Sequence, residues 1–307
     1  MAQFLRFVLL AEIALYVSSV AWCRMVITLP WTVSLSAALL VPFGLRAFFI
    51  LLTFRLALKH AEPSARWLDW CKAFISETLA PIAFLSIYGP FDKLLIRDSS
   101  QSYSSTLERP AKPLLIFVHG YVSNRGIWWR YIRAFKHRGY YVAAVDLSPP
   151  LASINDFVEQ LHAFITTHRE LTGQQRIILI AHSMGGLVGR AWQAKYEDQN
   201  MDLLITLGTP HAGTRLAPLA LGECARQMQE SSAWHRELKS REGSNILAKL
   251  ISIRTKQDNV VIPNDSSVVP GATNISFRGV GHLAITTNQA IQEQVIGLVQ
   301  ALETQKA

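Results

Sequence analysis

The chain has 307 residues, of which half are hydrophobic and only 17% carry a charged side chain. This length accommodates one large catalytic domain with an appended segment. The low fraction of charged residues is unusual for a soluble protein and indicates membrane-embedded parts. The net charge is +8, but the basic residues form no single run, which argues against nucleic-acid binding and favours attraction to anionic lipid. The three cysteines are far apart and form no CxxC pair, so neither a disulfide framework nor a cysteine zinc site is predicted.

Two long apolar stretches open the chain, at residues 4–22 and 26–45. Each approaches the roughly 20 residues that a helix needs to cross the hydrocarbon core of a bilayer. They predict a membrane-anchoring helical hairpin over residues 1–60, in which Glu12 and Arg46 approach each other. The alternative is a signal peptide cleaved after the small residues that end the first stretch. The second apolar stretch favours the hairpin.

The orientation of this anchor follows from its basic residues. They are more frequent after the second apolar stretch than in the short connection between the two stretches. By the positive-inside rule the rest of the chain is then cytoplasmic, and this orientation inverts if the first stretch is cleaved or does not span. Ser34 and Ala38 form a small-xxx-small pair, which also allows a homodimer through the anchor.

Residues 61–112 are predicted to connect the anchor to the catalytic domain. Apolar residues recur at helical spacing between residues 64 and 79, with charged residues on the other side, which predicts an amphipathic helix. This helix lies in the membrane interface or packs against the following domain, since periodicity does not separate the two. Residues 99–113 are polar, serine-rich and bounded by proline, as is typical of a linker.

From residue 113 to residue 307, short β-branched runs alternate with longer helical stretches. Such alternation predicts a mostly parallel sheet with helices on both faces. The predicted strands are 114–118, 141–145, 177–180, 203–207, 250–254 and 274–277, and the predicted helices are 126–138, 154–171, 187–196 and 285–302. Residues 212–245 are predicted to form a cap over the site or, alternatively, a pair of surface helices.

Ser183 is the predicted nucleophile. It lies directly between a predicted strand and a predicted helix, in the segment AHSMGG. A sharp turn that presents a serine needs small residues two places before and after it, because those positions press against neighbouring backbone. Ala181 and Gly185 meet this requirement.

A nucleophilic serine also needs a histidine base and an acid that orients the base. His282 lies between the last predicted strand and the closing helix, and no histidine other than this one follows His235. Asp258 comes just after the strand 250–254 and is preferred to its neighbour Asp265, because the carboxyl ends of parallel strands gather the functional groups.

Backbone N–H groups near a helix start stabilise a developing oxyanion. Tyr121, which follows the first strand, and Met184, which follows the serine, are the predicted donors. Five other side chains near these segments are interpreted first as structural: His119, His182, His211, Trp128 and Trp129. The alternative for His211 is contact with the substrate. The alternative for the two tryptophans is that they line an acyl site.

The segments FVHGY, AHSMGG, LGTPHAGT, DNVVIP and GVGH resemble the bacterial lipase and esterase branch of the α/β-hydrolase superfamily. The resemblance covers residues 113 to 302 and does not extend to the N-terminal third. It implies an α/β-hydrolase fold with Ser183, Asp258 and His282 as a catalytic triad in that chain order. An alanine replaces the first glycine of the usual Gly-x-Ser-x-Gly, as it does in some relatives.

The chain is therefore expected to be a membrane-anchored carboxylester hydrolase of the lipase, lysophospholipase or phospholipase type, with no metal or organic cofactor. The expected partners are an acyl-ester lipid and the bilayer, with no nucleic acid. The expected location is the bacterial inner membrane. The same triad would also serve an acyltransferase, thioesterase or amidase. An alternative of another class is a catalytically silent, membrane-anchored binding protein.

Overall fold

The computed structural model describes residues 1–61, 66–96, 112–243 and 247–306, without the side chains of residues 37–43, 45, 305 and 306. The predicted linker at 99–113 lies almost entirely outside the described residues.

Six parallel strands form one sheet in the order β2-β1-β3-β4-β5-β6. Their bounds are β1 Leu114–Val118, β2 Val142–Val145, β3 Ile177–His182, β4 Met201–Leu207, β5 Leu250–Thr255 and β6 Thr273–Phe277. Every residue of the first four strands is buried, because helices cover both faces of the sheet. The predicted parallel sheet is confirmed.

The helices of the hydrolase domain follow the predicted order, with changes at their starts. The N-terminal part contains the helices α1 Ala2–Met25, α2 Trp31–Leu58, α3 Trp67–Ala83 and α4 Asp92–Leu95. The hydrolase domain contains α5 Trp129–Lys136, α6 Ile154–Thr172, α7 Met184–Tyr196, α8 Glu223–Gln227, α9 Ala233–Arg241 and α10 Gln289–Lys306. The predicted start of the last helix at residue 285 is wrong. Asn288 caps that helix by accepting a hydrogen bond from the N–H of Ile291 (3.1 Å), and residues 284–286 form a separate tight turn.

The N-terminal helices α1 and α2 lie side by side as a helical hairpin, and its role as a membrane anchor stays a prediction. Residues 26–30 connect them, and Arg46 of α2 makes an ion pair with Glu12 of α1. At its base the hairpin packs on the rest of the protein, since Leu5 is buried and the Phe54 ring contacts the Trp70 ring edge-on at 6.0 Å. The hairpin is therefore joined to the globular part by side-chain contacts as well as by the chain.

Helix α3 packs on the hydrolase domain with one face. The residues of that face are Asp69, Trp70, Ala73, Glu77, Thr78 and Ala80. The outward face carries exposed apolar side chains, among them Trp67, Leu68, Ile75 and Leu79. The prediction that Asp69 and Glu77 lie on the face opposite the apolar residues is wrong, since both are buried on the same face as Trp70, where Glu77 accepts hydrogen bonds from backbone N–H groups of the domain.

Two of the described helical stretches are long and apolar enough to cross a membrane, Ala2–Met25 and Trp67–Tyr88. In the most apolar window of the first, 6% of the residues are buried, whereas 33% of the second window is buried. The second stretch includes α3, which packs on the domain, so of these two described stretches the first is the less buried. The predicted second span lies in α2, where many side chains are outside the described set.

The predicted cap is described over residues 212–243 and lies between β4 and β5. It consists of a tight turn at Ala217–Leu219 followed by α8 and α9. The hydroxyl of Tyr121 accepts a hydrogen bond from the N–H of Leu221 (3.0 Å) and donates one to its carbonyl oxygen (2.9 Å). These two bonds hold the cap against the loop that follows β1.

Candidate active site

Ser183 occupies a strained turn between β3 and α7. Its φ of 53° and ψ of −127° are backbone angles that residues with a side chain rarely adopt. Its N–H donates to the carbonyl oxygen of Leu207 (2.9 Å), and its own carbonyl accepts from the Thr209 hydroxyl (2.9 Å). A Cβ atom at Gly185 would lie 2.6 Å from the carbonyl oxygens of Val118 and His119, so the turn requires glycine there.

The turn brings Ser183 to His282, and His282 to Asp258. The distance from Ser183 Oγ to His282 Nε2 is 3.0 Å, and His282 Nδ1 lies 2.9 Å from Asp258 Oδ2. All three residues are buried. This is the arrangement in which an imidazole accepts the serine proton while the carboxylate holds the imidazole in one tautomer.

Asp258 and Asp265 occupy different environments. The second oxygen of Asp258 accepts hydrogen bonds from the N–H groups of Val260 and Val261 (both 2.8 Å), which fix the orientation of the carboxyl group beside His282. Asp265 lies at the surface with 73% of its side chain exposed and makes an ion pair with Arg254. The structure thus brings the preferred aspartate, and not its rival, to the histidine.

The charges around His282 favour its protonated form. Burial alone lowers the pKa of this imidazole, but the charge and hydrogen bond of Asp258 and the charge of Glu77 outweigh burial and raise the pKa above its usual value. His182, whose ring centroid is 4.9 Å from that of His282, has its pKa lowered well below the usual range by burial and by the neighbouring imidazole. His182 therefore stays neutral and does not compete with His282 as the base.

The predicted oxyanion donors flank the nucleophile. Met184 is the first residue of α7, where backbone N–H groups have no partner within the helix. Tyr121 lies directly after Gly120, where an added Cβ would be 2.8 Å from the Ser183 Cβ, so this loop passes close to the serine. The two N–H groups are thus carried by segments on either side of Ser183, and their role as oxyanion donors stays a prediction.

The other histidines and the tryptophans have structural contacts. His119 accepts from the N–H of Leu147 (3.0 Å) and bonds the carbonyl oxygen of Gly120 (2.9 Å), which braces the loop before Tyr121. His182 donates to the carbonyl oxygen of His282 (3.1 Å), and His211 bonds the Thr206 hydroxyl (2.9 Å). Trp128 is fully buried against Phe117 and Tyr131, and Trp129 packs near Tyr88.

Two residues near the site were not predicted from the sequence. Asn259 accepts a hydrogen bond from the N–H of His282 (3.2 Å), and Glu77 accepts bonds from the N–H groups of Leu283 and Ala284. The position of Asn259 directly after the acid is a signal that local reasoning can use. Glu77 lies far away in sequence and carries no such signal. Among the described residues, no group of three His, Cys, Asp or Glu side chains has the arrangement of a metal site.

Comparison with known proteins agrees with this architecture. A family profile described as the alpha/beta hydrolase fold matches residues 113–237. The mature form of a Bacillus licheniformis lipase superposes with a TM-score of 0.55 at 20% sequence identity, covering 64% of this chain and 96% of that one. The chain has the α/β-hydrolase fold.

Curated relatives match shorter segments. A GPI inositol-deacylase of Emericella nidulans is 29% identical over 147 residues, covering 41% of this chain and 13% of that protein. A GPI inositol-deacylase of Candida albicans is 41% identical over 58 residues, covering 19% of this chain and 15% of that protein. The chain thus spans only a small part of these relatives. The bacterial branch inferred from the sequence stays a prediction.

Proposed function

We propose that this protein is a membrane-anchored serine carboxylester hydrolase of the lipase or phospholipase type, which cleaves acyl esters of membrane lipids. The observation that carries the proposal is the continuous contact from Ser183 Oγ through the His282 imidazole to Asp258, built on a strained turn at the carboxyl edge of a parallel sheet. A strained backbone is kept where function requires it.

The geometry supports a two-step reaction. His282 Nε2 takes the proton of Ser183 Oγ while that oxygen attacks the ester carbonyl, and the backbone N–H groups of Tyr121 and Met184 stabilise the resulting oxyanion. The imidazolium then gives its proton to the leaving alcohol oxygen, and an acyl-enzyme remains. In the second step a water molecule loses its proton to His282, its oxygen attacks the acyl carbonyl, and the fatty acid leaves as Ser183 regains a proton.

Membrane attachment is proposed from the exposed apolar surfaces of the N-terminal part. Helix α1 exposes large side chains along its length, and its one acidic residue, Glu12, is paired with Arg46. Pairing lowers the cost of placing both charges at membrane depth. The outward apolar face of α3 lies in the same part of the chain and fits the bilayer interface. The bacterial inner membrane remains the proposed location.

An apolar rim at the cap supports a lipid substrate. Leu219 and Leu221 are 79% and 72% exposed, and Leu221 is bonded through its backbone to Tyr121 of the predicted oxyanion loop. Val122 and Leu151, on two further loops, are partly exposed, and Leu151 lies beside Gly222. Exposed leucines concentrated on one loop are typical of a surface that contacts lipid or protein. The similarity to segments of inositol-deacylases supports an acyl ester among lipid substrates.

The decisive experiment compares the wild-type protein with Ser183→Ala, both in detergent, on a panel of soluble esters and phospholipids. We expect release of free fatty acid by the wild type, covalent labelling of Ser183 by a fluorophosphonate, and loss of both in the variant. Activity retained by Ser183→Ala would refute the nucleophile. Transfer of the acyl group to an added alcohol in preference to water would indicate the acyltransferase, and a folded wild type that resists labelling would indicate the silent binding protein.

A further inference from the structure

Glu77 of α3 is a buried carboxylate that contacts the segment carrying His282. Only 4% of the residue is exposed, although it belongs to a helix outside the matched hydrolase segment. Its carboxylate accepts hydrogen bonds from the N–H of Leu283 (2.8 and 3.1 Å, one to each oxygen) and from the N–H of Ala284 (3.0 Å). Burying an ionisable group costs free energy unless hydrogen bonds or nearby charges compensate for the lost hydration. Buried ionisable groups of this kind are frequent at functional sites.

The helix and the histidine loop are fitted closely to each other. A Cβ atom at Gly281 would lie 2.4 Å from the Glu77 Cβ, so the loop approaches α3 as closely as a glycine allows. The hydroxyl of Ser76 accepts a further hydrogen bond from the N–H of Gly281 (3.3 Å). The backbone on both sides of His282 is therefore held by two consecutive residues of α3.

The charge of Glu77 reaches the imidazole. Asp258 and Glu77 both raise the pKa of His282, and the neighbouring His182 is neutral. The pKa of Glu77 itself is raised to about 7 because burial, with a smaller contribution from the charge of Asp258, outweighs the lowering effects of His282 and of the N–H groups of Ala284 and Leu283. Tyr88 is a further titratable neighbour of Glu77, and burial raises its pKa to about 12, so it stays neutral.

We propose that Glu77 is a positioning residue for His282. It fixes the backbone that carries the imidazole and supplies a negative charge near the imidazole, in addition to that of Asp258. The inference rests on the proposed function, because it assigns Glu77 to the same histidine base. It makes α3 a part of the active site: the helix between the proposed anchor and the hydrolase domain completes the catalytic geometry.

Three full-length variants test the proposal. Glu77→Ala removes both the hydrogen bonds and the charge. Glu77→Gln removes the charge but keeps an oxygen that can accept from both N–H groups. Asp69→Asn is the matched control, since Asp69 is another buried acid of the same helix, and one of its oxygens has no hydrogen-bond partner. Hydrolysis of a short soluble ester is followed from pH 5 to 9, with kcat expressed per site labelled by a fluorophosphonate.

We expect kcat to fall by up to about 100-fold in Glu77→Ala, because small misplacements of a catalytic group have costs of that size. In Glu77→Gln we expect a loss on the order of tenfold. In the same variant the acidic limb of kcat/KM should move to lower pH, because a negative charge that raises the pKa of His282 is gone. Asp69→Asn should keep both the rate and the limb of the wild type.

Thermal unfolding at pH 8 separates positioning from a purely structural role. Since the folded pKa of Glu77 is raised to about 7, the stability it contributes in acid is lost as the pH rises through that value, and its ionised form is costly at pH 8. Glu77→Gln should therefore unfold at the wild-type temperature or above it, despite its lower kcat. The proposal would be overturned if the acidic limb did not move in Glu77→Gln. It would also be overturned if kcat per labelled site in Glu77→Ala equalled that of the wild type. Neither result affects the assignment of Ser183, which fails only if Ser183→Ala stays active.

Discussion

The side-chain amide of Asn259 donates a hydrogen bond to the hydroxyl of Thr53 (2.9 Å), which links the loop of the predicted catalytic acid to the base of the N-terminal hairpin. The carbonyl oxygen of the same amide accepts from the N–H of His282 (3.2 Å). One residue, next to Asp258 in the chain, therefore contacts both the hairpin and the histidine. The second helix of the hairpin is therefore in direct contact with the predicted site.

The identity of the acid can be tested with a matched pair of variants. Asp258→Asn should lower kcat by about 10⁴-fold, because the amide favours the wrong tautomer of His282 while leaving the fold intact. Asp265→Asn loses a surface ion pair with Arg254, whose energetic value is small, and should keep wild-type activity. Steady-state hydrolysis of a soluble ester measures both. Equal losses in the two variants would contradict the assignment.

The pH dependence of kcat/KM should report the base. His282 accepts a proton only when neutral, and its pKa is raised because Asp258 and Glu77 outweigh the effect of burial. Activity should therefore fall as the pH drops through a value above 6.5, the ordinary pKa of histidine. In Asp258→Asn the residual activity should extend to lower pH. An acidic limb below 6.5 in the wild type would show that the imidazole is not influenced by these carboxylates as the structure indicates.

Two glycines with opposite surroundings test the turn at the nucleophile. Gly185→Ala places a Cβ against two backbone carbonyl oxygens and should destabilise the protein by roughly 1–3 kcal/mol, with loss of fluorophosphonate labelling. Gly297→Ala, in α10, meets no atom within 4 Å and should stabilise the protein by about 0.5–1 kcal/mol, since alanine favours a helix interior. Urea unfolding of both variants measures the difference. A labelled and stable Gly185→Ala would argue against the close packing seen here.

The apolar rim predicts a difference between substrates. Replacing Leu219 and Leu221 together by serine should lower kcat/KM on phospholipid vesicles about tenfold or more, because two exposed leucines no longer enter the apolar phase. Activity on a short soluble ester should not change, since both substitutions keep the backbone bonds to Tyr121.

Leu171→Ser is the control for the rim. Leu171 is an exposed leucine near the end of α6, which in a parallel sheet runs back towards the edge opposite the active site. This variant should behave as the wild type on both substrates. If it loses vesicle activity as strongly as the double variant does, the effect belongs to surface hydrophobicity in general and not to the rim.

Local patterns in the sequence determined the secondary structure of this protein and the position of its predicted nucleophile. The periods of strands and helices are properties of neighbouring residues, so the six strands and the order of the helices could be predicted without the tertiary structure. The turn at Ser183 was predictable for a similar reason, because the small residues it requires lie two places away on either side. His282 followed from its place between the last strand and the last helix.

Only the tertiary structure decided which distant groups meet. Two aspartates follow β5, and the contact of Asp258 with His282 depends on how the loop closes, which no local period encodes. Glu77 has the spacing of a solvent-facing helical residue, yet it is buried because the loop at residues 283–284 offers it two N–H donors. Burial of a polar side chain depends on partners that are distant in sequence, and these become neighbours only when the chain folds.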